Sequence, residues 1–419
     1  VYKQLQADPG KPLFSQAIQC QYAPGSTFKI VHTAGAVGTP DYSLSGEYAC
    51  DSVYHVGTQT FVNFESEGGV GDISFADALK ISCDTFFYAI GDTLWKQDGG
   101  LSPGAHPADA LINEAKLWGL GKNTGIDLPI DASGDIETRQ EKIDSWNKNK
   151  ATWCAEYKTE TNPLYKQYDY ENCNWGYQYQ EGDALNFAVG QGTVTVSPLQ
   201  LAMAYGALGN GGTLFSPRIG KAIISPDGQL VKTIDAPSSK LNVPANVLSY
   251  EQQALQAVVA EPGGTGYAAF LGFPLDKVTV AGKTGTAEVV NKTDTAWFAS
   301  YGGPAGQPAQ YAVVVMVSQG GQGGVTAAPA VRQIYDGIYG FDGSPSSSGY
   351  NAHDMFAAAG PALPNGVPPT TLPTVVPVSS PSATSSPASS PQALGAGAGD
   401  LLATPPDRRS GPASATWAR

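Results

Sequence analysis

The chain has 419 residues, with 24 Lys and Arg against 37 Asp and Glu and a formal net charge of −13. At ~150 residues per domain this length holds two to three domains and a large apolar core, which excludes a disulfide-held miniprotein. The acidic balance argues against a surface that neutralises phosphates, so nucleic acid and anionic headgroups are poor partners.

The chain opens Val1-Tyr2-Lys3-Gln4, without a charged and then apolar leader, and no run of about 18 apolar residues follows. Any signal or membrane anchor is therefore expected upstream of Val1. Pro24-Gly25 breaks the chain, and Phe28, Ile30, Val31, Ala34 and Val37 then fall at helical spacing, predicting a helix over 26–37. Residues 75–94 read as two helical pieces meeting near Ser82. Residues 197–208 read as a third helix with Pro198 in its first turn, stopped by Asn210-Gly211-Gly212. The span from about 131 to 183 is polar, aromatic-rich and poorly periodic, and reads as a long insertion loop. Residues 278–287, 296–301 and 311–318 read as three successive strands. Helices first and strands late predict an α+β fold, an antiparallel β-sheet covered by helices. From residue 343 to 419 the composition turns to Ser, Pro, Ala and Thr, which predicts a disordered tail and confines chemistry to residues 1–342.

The cysteines are Cys20, Cys50, Cys83, Cys154 and Cys173, with no C-x-x-C pair, and the four histidines are scattered. That gives a zinc site little support, and no metal is expected. Cys154 and Cys173 flank a polar stretch where a bridge would help most in an oxidising compartment, and we favour that bridge over two separate thiols. An odd count leaves at least one thiol outside a bridge.

Three short motifs could carry chemistry. In Ser26-Thr27-Phe28-Lys29 the i, i+3 spacing puts amine and hydroxyl on one helix face, so Lys29 could take the proton that makes Ser26 a nucleophile. By itself that spacing is weak: it recurs at Ser145-Trp146-Asn147-Lys148. Ser82-Cys83-Asp84 lies in an apolar helical context. Lys283-Thr284-Gly285-Thr286 lies on a strand, where glycine permits the close approach of another backbone, as when an extended peptide adds along an edge. What discriminates is their order: S-x-x-K, then S-x-D 56 residues on, then K-T-G-T about 200 residues further.

In that order the chain resembles the transpeptidase domain of class B penicillin-binding proteins, of the elongation or rod-system type. Further stretches that carry the resemblance are Tyr22-Ala23-Pro24-Gly25, Thr85-Phe86-Phe87-Tyr88, Val189-Gly190-Gln191-Gly192, Ser197-Pro198-Leu199-Gln200 and Ala287-Glu288. The resemblance implies a helical lobe beside the sheet and a D,D-transpeptidase without cofactor. Ser26 would attack the penultimate D-Ala carbonyl of a stem peptide, with Lys29 as base and Ser82 relaying a proton to the leaving amine. Lys283 would keep the site positive, and Thr284, Gly285 and Thr286 would hold the substrate carboxylate. The backbone N–H groups of Ser26 and Thr286 would form the oxyanion hole. β-Lactam antibiotics would acylate Ser26. Asp84 stands where many members carry Asn and is a mark of the elongation branch; we expect it bonded to Lys283 more than to Lys29, since a carboxylate on Lys29 would make it a poorer base.

The resemblance also implies an anchored protein on the extracytoplasmic face of a bacterial membrane and a separate glycan-polymerising membrane partner. The Gly, Pro and Ala content looks actinobacterial. Competing readings are a D,D-carboxypeptidase, a β-lactam-hydrolysing or sensing relative using Glu288 or Asp84 to direct water, and a non-catalytic wall-assembly scaffold.

Overall fold

The computed structural model describes residues 2–8, 12–64 and 69–341. The tail expected over 343–419 lies outside the described residues.

Gly25, at φ +54°, turns the chain sharply, and Gly25–Phe28 form a single 3-10 turn that runs into helix α1 (Lys29–Val37). The helix expected over 26–37 is thus tighter in its first turn than an α-helix. Thr27 Oγ1 donates to Pro24 O at 2.8 Å and locks that turn. Residues 29–36 of α1 are all buried, including Lys29 and His32.

Next come strands β1 (Tyr48–Cys50), β2 (Val53–Val56), β3 (Gln59–Val62) and β4 (Gly71–Ile73). β1 pairs with β4 and β2 with β3, both antiparallel. Helix α2 (Phe75–Ile81) starts at Ser74, whose hydroxyl accepts from Asp77 N at 3.1 Å, and ends where Ser82 enters the left-handed region at φ 62°. Helix α3 (Asp84–Gln97) begins two residues later, so the two helical pieces meet at Ser82 as the sequence predicts. Helix α4 (Ala110–Leu117) packs on α1.

The polar span at 131–183 departs from its reading as a loop. It contains helix α5 (Arg139–Thr159) and helix α6 (Pro163–Trp175), packed on each other as a hairpin, and the start of helix α7 (Glu181–Ala188). α5 buries none of its residues, so it lacks the apolar stripe that marks a helix in sequence. Its stability comes from a capping box between Thr138 and Glu141, from Tyr157 packed on Tyr170 at 5.0 Å, and from the Cys154–Cys173 disulfide. That bridge is the one the sequence favours. A second disulfide, Cys50–Cys83, has no counterpart in the sequence reading.

Helix α8 (Pro198–Gly209) opens with a capping box between Ser197 and Gln200, and helix α9 (Ala245–Ala260) follows. Strands β5 (Val278–Ala287), β6 (Thr295–Pro304) and β7 (Tyr311–Val317) form an antiparallel sheet in the order β7-β6-β5, with β5 at an edge. Gly285 lies opposite Trp297, and Trp297 opposite Met316. Every residue of β6 from 295 to 303 is buried, because α8, α9 and helix α10 (Gly323–Tyr339) pack against the sheet. Trp297, Phe298, Tyr205 and Tyr335 are fully enclosed there; burying a side chain the size of Phe stabilises by about 1.5–3 kcal/mol. The fold is α+β, an antiparallel sheet covered by helices. Among the described residues no helix is long and apolar enough to cross a membrane, and no His, Cys, Asp and Glu cluster could hold a metal ion.

Candidate active site

Ser26 sits half-buried in the 3-10 turn, and Lys29 begins α1 three residues later. In a 3-10 turn, side chains at i and i+3 eclipse, which sets Lys29 beside Ser26. The turn is fixed from three sides. Trp297 Nε1 donates to Ala23 O at 2.9 Å, Tyr205 Oη to Thr27 O at 2.9 Å, and Gly25 N to Gly190 O at 2.9 Å. None of these contacts was read from the sequence; of the partners Trp297, Tyr205 and Gly190, only Gly190 lies in a stretch singled out through the resemblance.

Lys29 Nζ is fully buried and donates to Ser82 O at 2.9 Å, Ser82 Oγ at 3.2 Å and Asp84 Oδ1 at 2.6 Å, with the Phe87 ring centroid 5.1 Å away. The other carboxylate oxygen, Asp84 Oδ2, accepts from Phe64 N at 3.1 Å. The expectation that Asp84 bonds Lys283 more than Lys29 is therefore corrected. Asp84 is the first residue of α3, where the free N–H groups of a helix start favour a carboxylate, and the left-handed turn at Ser82 brings that start onto Lys29. Lys283 Nζ instead donates to Thr284 O at 3.2 Å and Thr284 Oγ1 at 3.4 Å.

The Ser82–Asp84 segment is itself held in place. Asn63 Oδ1 accepts from Thr85 N at 2.9 Å while its Nδ2 donates to Asp51 O at 2.7 Å, and Cys83 is bonded to Cys50. The middle residue of the S-x-D motif is thus covalently tied to β1.

On β5, the Thr284 hydroxyl shares a 2.6 Å hydrogen bond with Thr265 Oγ1, and Thr286 Oγ1 accepts from Gly323 N at 3.2 Å. Gly285 is required sterically: a Cβ there would stand 2.7 Å from Pro24 O and 2.8 Å from Thr27 Cγ2. Gly25 is required likewise, since its Cβ would meet Thr286 O at 2.6 Å. Gln191 Nε2 donates to Thr286 O at 3.4 Å. The structure therefore brings Ser26, Lys29, Ser82, Asp84 and the segment from Lys283 to Thr286 together from four elements. Glu288 lies just past the end of β5, exposed.

One turn below Lys29, His32 Nδ1 lies 2.8 Å from Ala188 O. Burial, opposed by the Ala188 carbonyl and reinforced by the Lys29 charge, lowers its pKa to about 4. The imidazole is neutral at pH 7, and its Nδ1–H donates to the carbonyl. Nothing in the local sequence marks this residue's place beside the site.

Residues 2–336 match the family described as the penicillin binding protein transpeptidase domain, and the chain belongs to that family. The peptidoglycan D,D-transpeptidase MrdA of Haemophilus influenzae is 29% identical over 357 residues, which cover 80% of this chain and 47% of that protein. Stage V sporulation protein D of Bacillus subtilis is 28% identical over 322 residues, 75% of this chain and 41% of its own length. The chain spans about half the length of the curated relatives it matches. Among solved structures, a chain from a peptidoglycan synthase complex that coordinates polymerization and crosslinking superposes with a TM-score of 0.64 at 27% identity, over 82% of this chain and 50% of that one. Penicillin-binding protein A of M. tuberculosis, solved as a ceftriaxone acyl-enzyme, shares the fold with a TM-score of 0.58 at 22% identity, over 80% of this chain and 64% of that one.

Proposed function

We propose that residues 1–342 are the transpeptidase domain of an elongation-type peptidoglycan D,D-transpeptidase that works through a serine acyl-enzyme. The observation that carries this reading is the convergence of Lys29 Nζ on Ser82 and Asp84, one 3-10 turn from Ser26.

The geometry suggests how the protons move. Lys29, held by Asp84 Oδ1 at 2.6 Å, acts in its neutral form and takes the Ser26 hydroxyl proton. Oγ bonds to the penultimate D-Ala carbonyl carbon, the peptide C–N bond breaks, and the proton passes from Nζ through Ser82 Oγ, 3.2 Å away, to the departing D-Ala amine. The acceptor amine of a second stem peptide attacks the ester and loses a proton, which returns along the same path to Ser26. The Ser26 and Thr286 N–H groups would stabilise the oxyanion, at ~3 kcal/mol for each such donor. Thr286 Oγ1 accepts from Gly323, so its own proton remains for a substrate carboxylate, with Thr284 and Lys283 beside it.

Two disulfides in one domain fit an oxidising compartment, which supports placement on the extracytoplasmic face of the membrane. The synthase-complex relative supports a separate glycan-polymerising partner. The actinobacterial source has composition alone behind it.

Intact-protein mass spectrometry after exposure to a penicillin tests the assignment. A single adduct stable over hours on the wild type, and none on Ser26→Ala, is the expected outcome. An adduct that vanishes in seconds would make the chain a hydrolase, and no adduct on the wild type would mean an idle site.

A further inference from the structure

The seam between α3 and α7 leaves no slack. Gly91 of α3 has no room for a side chain: a Cβ there would stand 2.9 Å from Ala188 Cβ and 3.0 Å from Ala184 O. Beside it, Asp92 and Lys96 of α3 meet Tyr54 of β2 and Glu181, the first residue of α7. Asp92 is 3% exposed. Its Oδ2 accepts from Tyr54 Oη and from Lys96 Nζ at 2.7 Å, and Lys96 Nζ also lies 3.3 Å from Glu181 Oε1. Among the described residues no N–H or hydroxyl donates to the enclosed Asp92 Oδ1. An enclosed carboxylate oxygen without a donor is rare, and one group in reach could serve it. The Glu181 carboxyl is within hydrogen-bonding distance of Asp92. Two carboxyl groups hydrogen-bond to each other only when one of them keeps a proton.

The far end of α7 touches the nucleophile turn directly. Phe187 packs edge-on against Phe28 with ring centroids 5.2 Å apart, His32 Nδ1 donates to Ala188 O at 2.8 Å, and Gly190 O accepts from Gly25 N at 2.9 Å. We propose that Glu181 and Asp92 share one proton, Glu181 donating to Asp92 Oδ1, and that while it is held the pair positions α7 and, through it, the turn that carries Ser26. The effect on Ser26 rests on the transpeptidase reading above; the shared proton does not. The titratable groups facing Glu181 are Asp92 and Lys96 of α3 and Tyr54 of β2, with Tyr42 beyond Tyr54; on α7 itself Asp183 is held by Lys142 of α5. Burial, the hydrogen bond with Asp92 and the Asp92 charge raise the Glu181 pKa above its usual 4.5, against the pull of Lys96. The folded chain therefore keeps a proton that the unfolded chain has already lost. The stability it contributes is complete below pH 4.5 and is lost as pH rises through the folded value.

The test compares wild type, Glu181→Gln and Glu181→Ala from about pH 5 to about pH 8 by urea unfolding and by the rate of penicillin acylation. The Gln amide can donate to Asp92 Oδ1 at any pH, and Ala at none. Wild type should match Glu181→Gln at the acid end and fall to Glu181→Ala or below it at the alkaline end, in urea midpoint and in acylation rate alike. The two variants should differ about fivefold in acylation rate at every pH, the worth of one hydrogen bond. A wild type that keeps a constant offset from both variants across the range, or a Gln variant no better than Ala, overturns the shared proton. Urea midpoints that follow the expected course while the acylation rates stay together uphold the shared proton and overturn its hold on the nucleophile turn. No penicillin adduct on any of the three proteins would overturn the transpeptidase reading and with it the effect on Ser26, and the urea midpoints would still decide the shared proton.

Discussion

The Asp84 carboxylate 2.6 Å from Lys29 Nζ favours the ammonium form of the lysine, and acylation of Ser26 needs the neutral amine. Asp84→Asn removes the charge that favours the ammonium form, so neutral Lys29 should become available at lower pH. The expected outcome is an acidic limb of the acylation–pH profile displaced toward lower pH; an unmoved profile would show that Asp84 does not set the charge of Lys29. His32 offers a second titration. Its pKa is near 6.5 when unfolded and about 4 when folded, so below pH 6.5 the unfolded chain takes up a proton that the folded one refuses. Stability from the neutral imidazole is then lost as pH falls from 6.5 toward 4, by about 3 kcal/mol in total. Urea unfolding of wild type and His32→Leu at pH 7.5 and 4.5 should show the wild type losing ground to the variant at the lower pH. Gly285→Ala would force a methyl against Pro24 O and Thr27, and should slow penicillin acylation by at least about 100-fold by displacing the nucleophile turn. The motif residues were legible because their types and order are set by chemistry along the chain. The partner of Asp84 was not: whether a carboxylate reaches the lysine 55 residues before it or the one 199 after it depends on the left-handed turn at Ser82.

At the level of elements, the sequence was most readable where a segment buries apolar side chains. Strands β5 and β7 and helix α8 start and stop within a residue of their predicted bounds, and β6 runs longer than read, 295–304 against 296–301. The α5–α6 hairpin was unreadable for the opposite reason. With no buried residue in α5 and only Asp169 buried in α6, hydrophobic periodicity has nothing to register, and helix formation rests on caps, ring contacts and a cross-link. Cys154→Ser with Cys173→Ser should cost the hairpin up to about 3 kcal/mol, the chain-entropy value for so short a loop. Hydrogen exchange should quicken in α5 and α6, while penicillin acylation stays within about twofold of wild type, since the hairpin supplies none of the proposed catalytic groups.

Seen as a whole, the molecule builds its site from parts distant in sequence: a turn before α1, the α2–α3 junction, the loop after α7 and the sheet strand β5. Each is positioned by a different neighbour, which explains why the site needs most of the folded chain. The junction alone relies on a covalent bond, Cys50–Cys83. That bond does not exist when the chain is made. A freshly synthesised copy with reduced thiols carries every motif residue but lacks the tether between them and β1, so the site matures in time as well as in space: translation first, oxidation second, reactivity last. Reduced protein should take up penicillin more slowly than oxidised protein, and the fast phase should grow in step with disulfide formation when a glutathione redox buffer is added. By this ordering a chain held in a reducing compartment stays quiet, and one moved to an oxidising compartment becomes reactive on arrival.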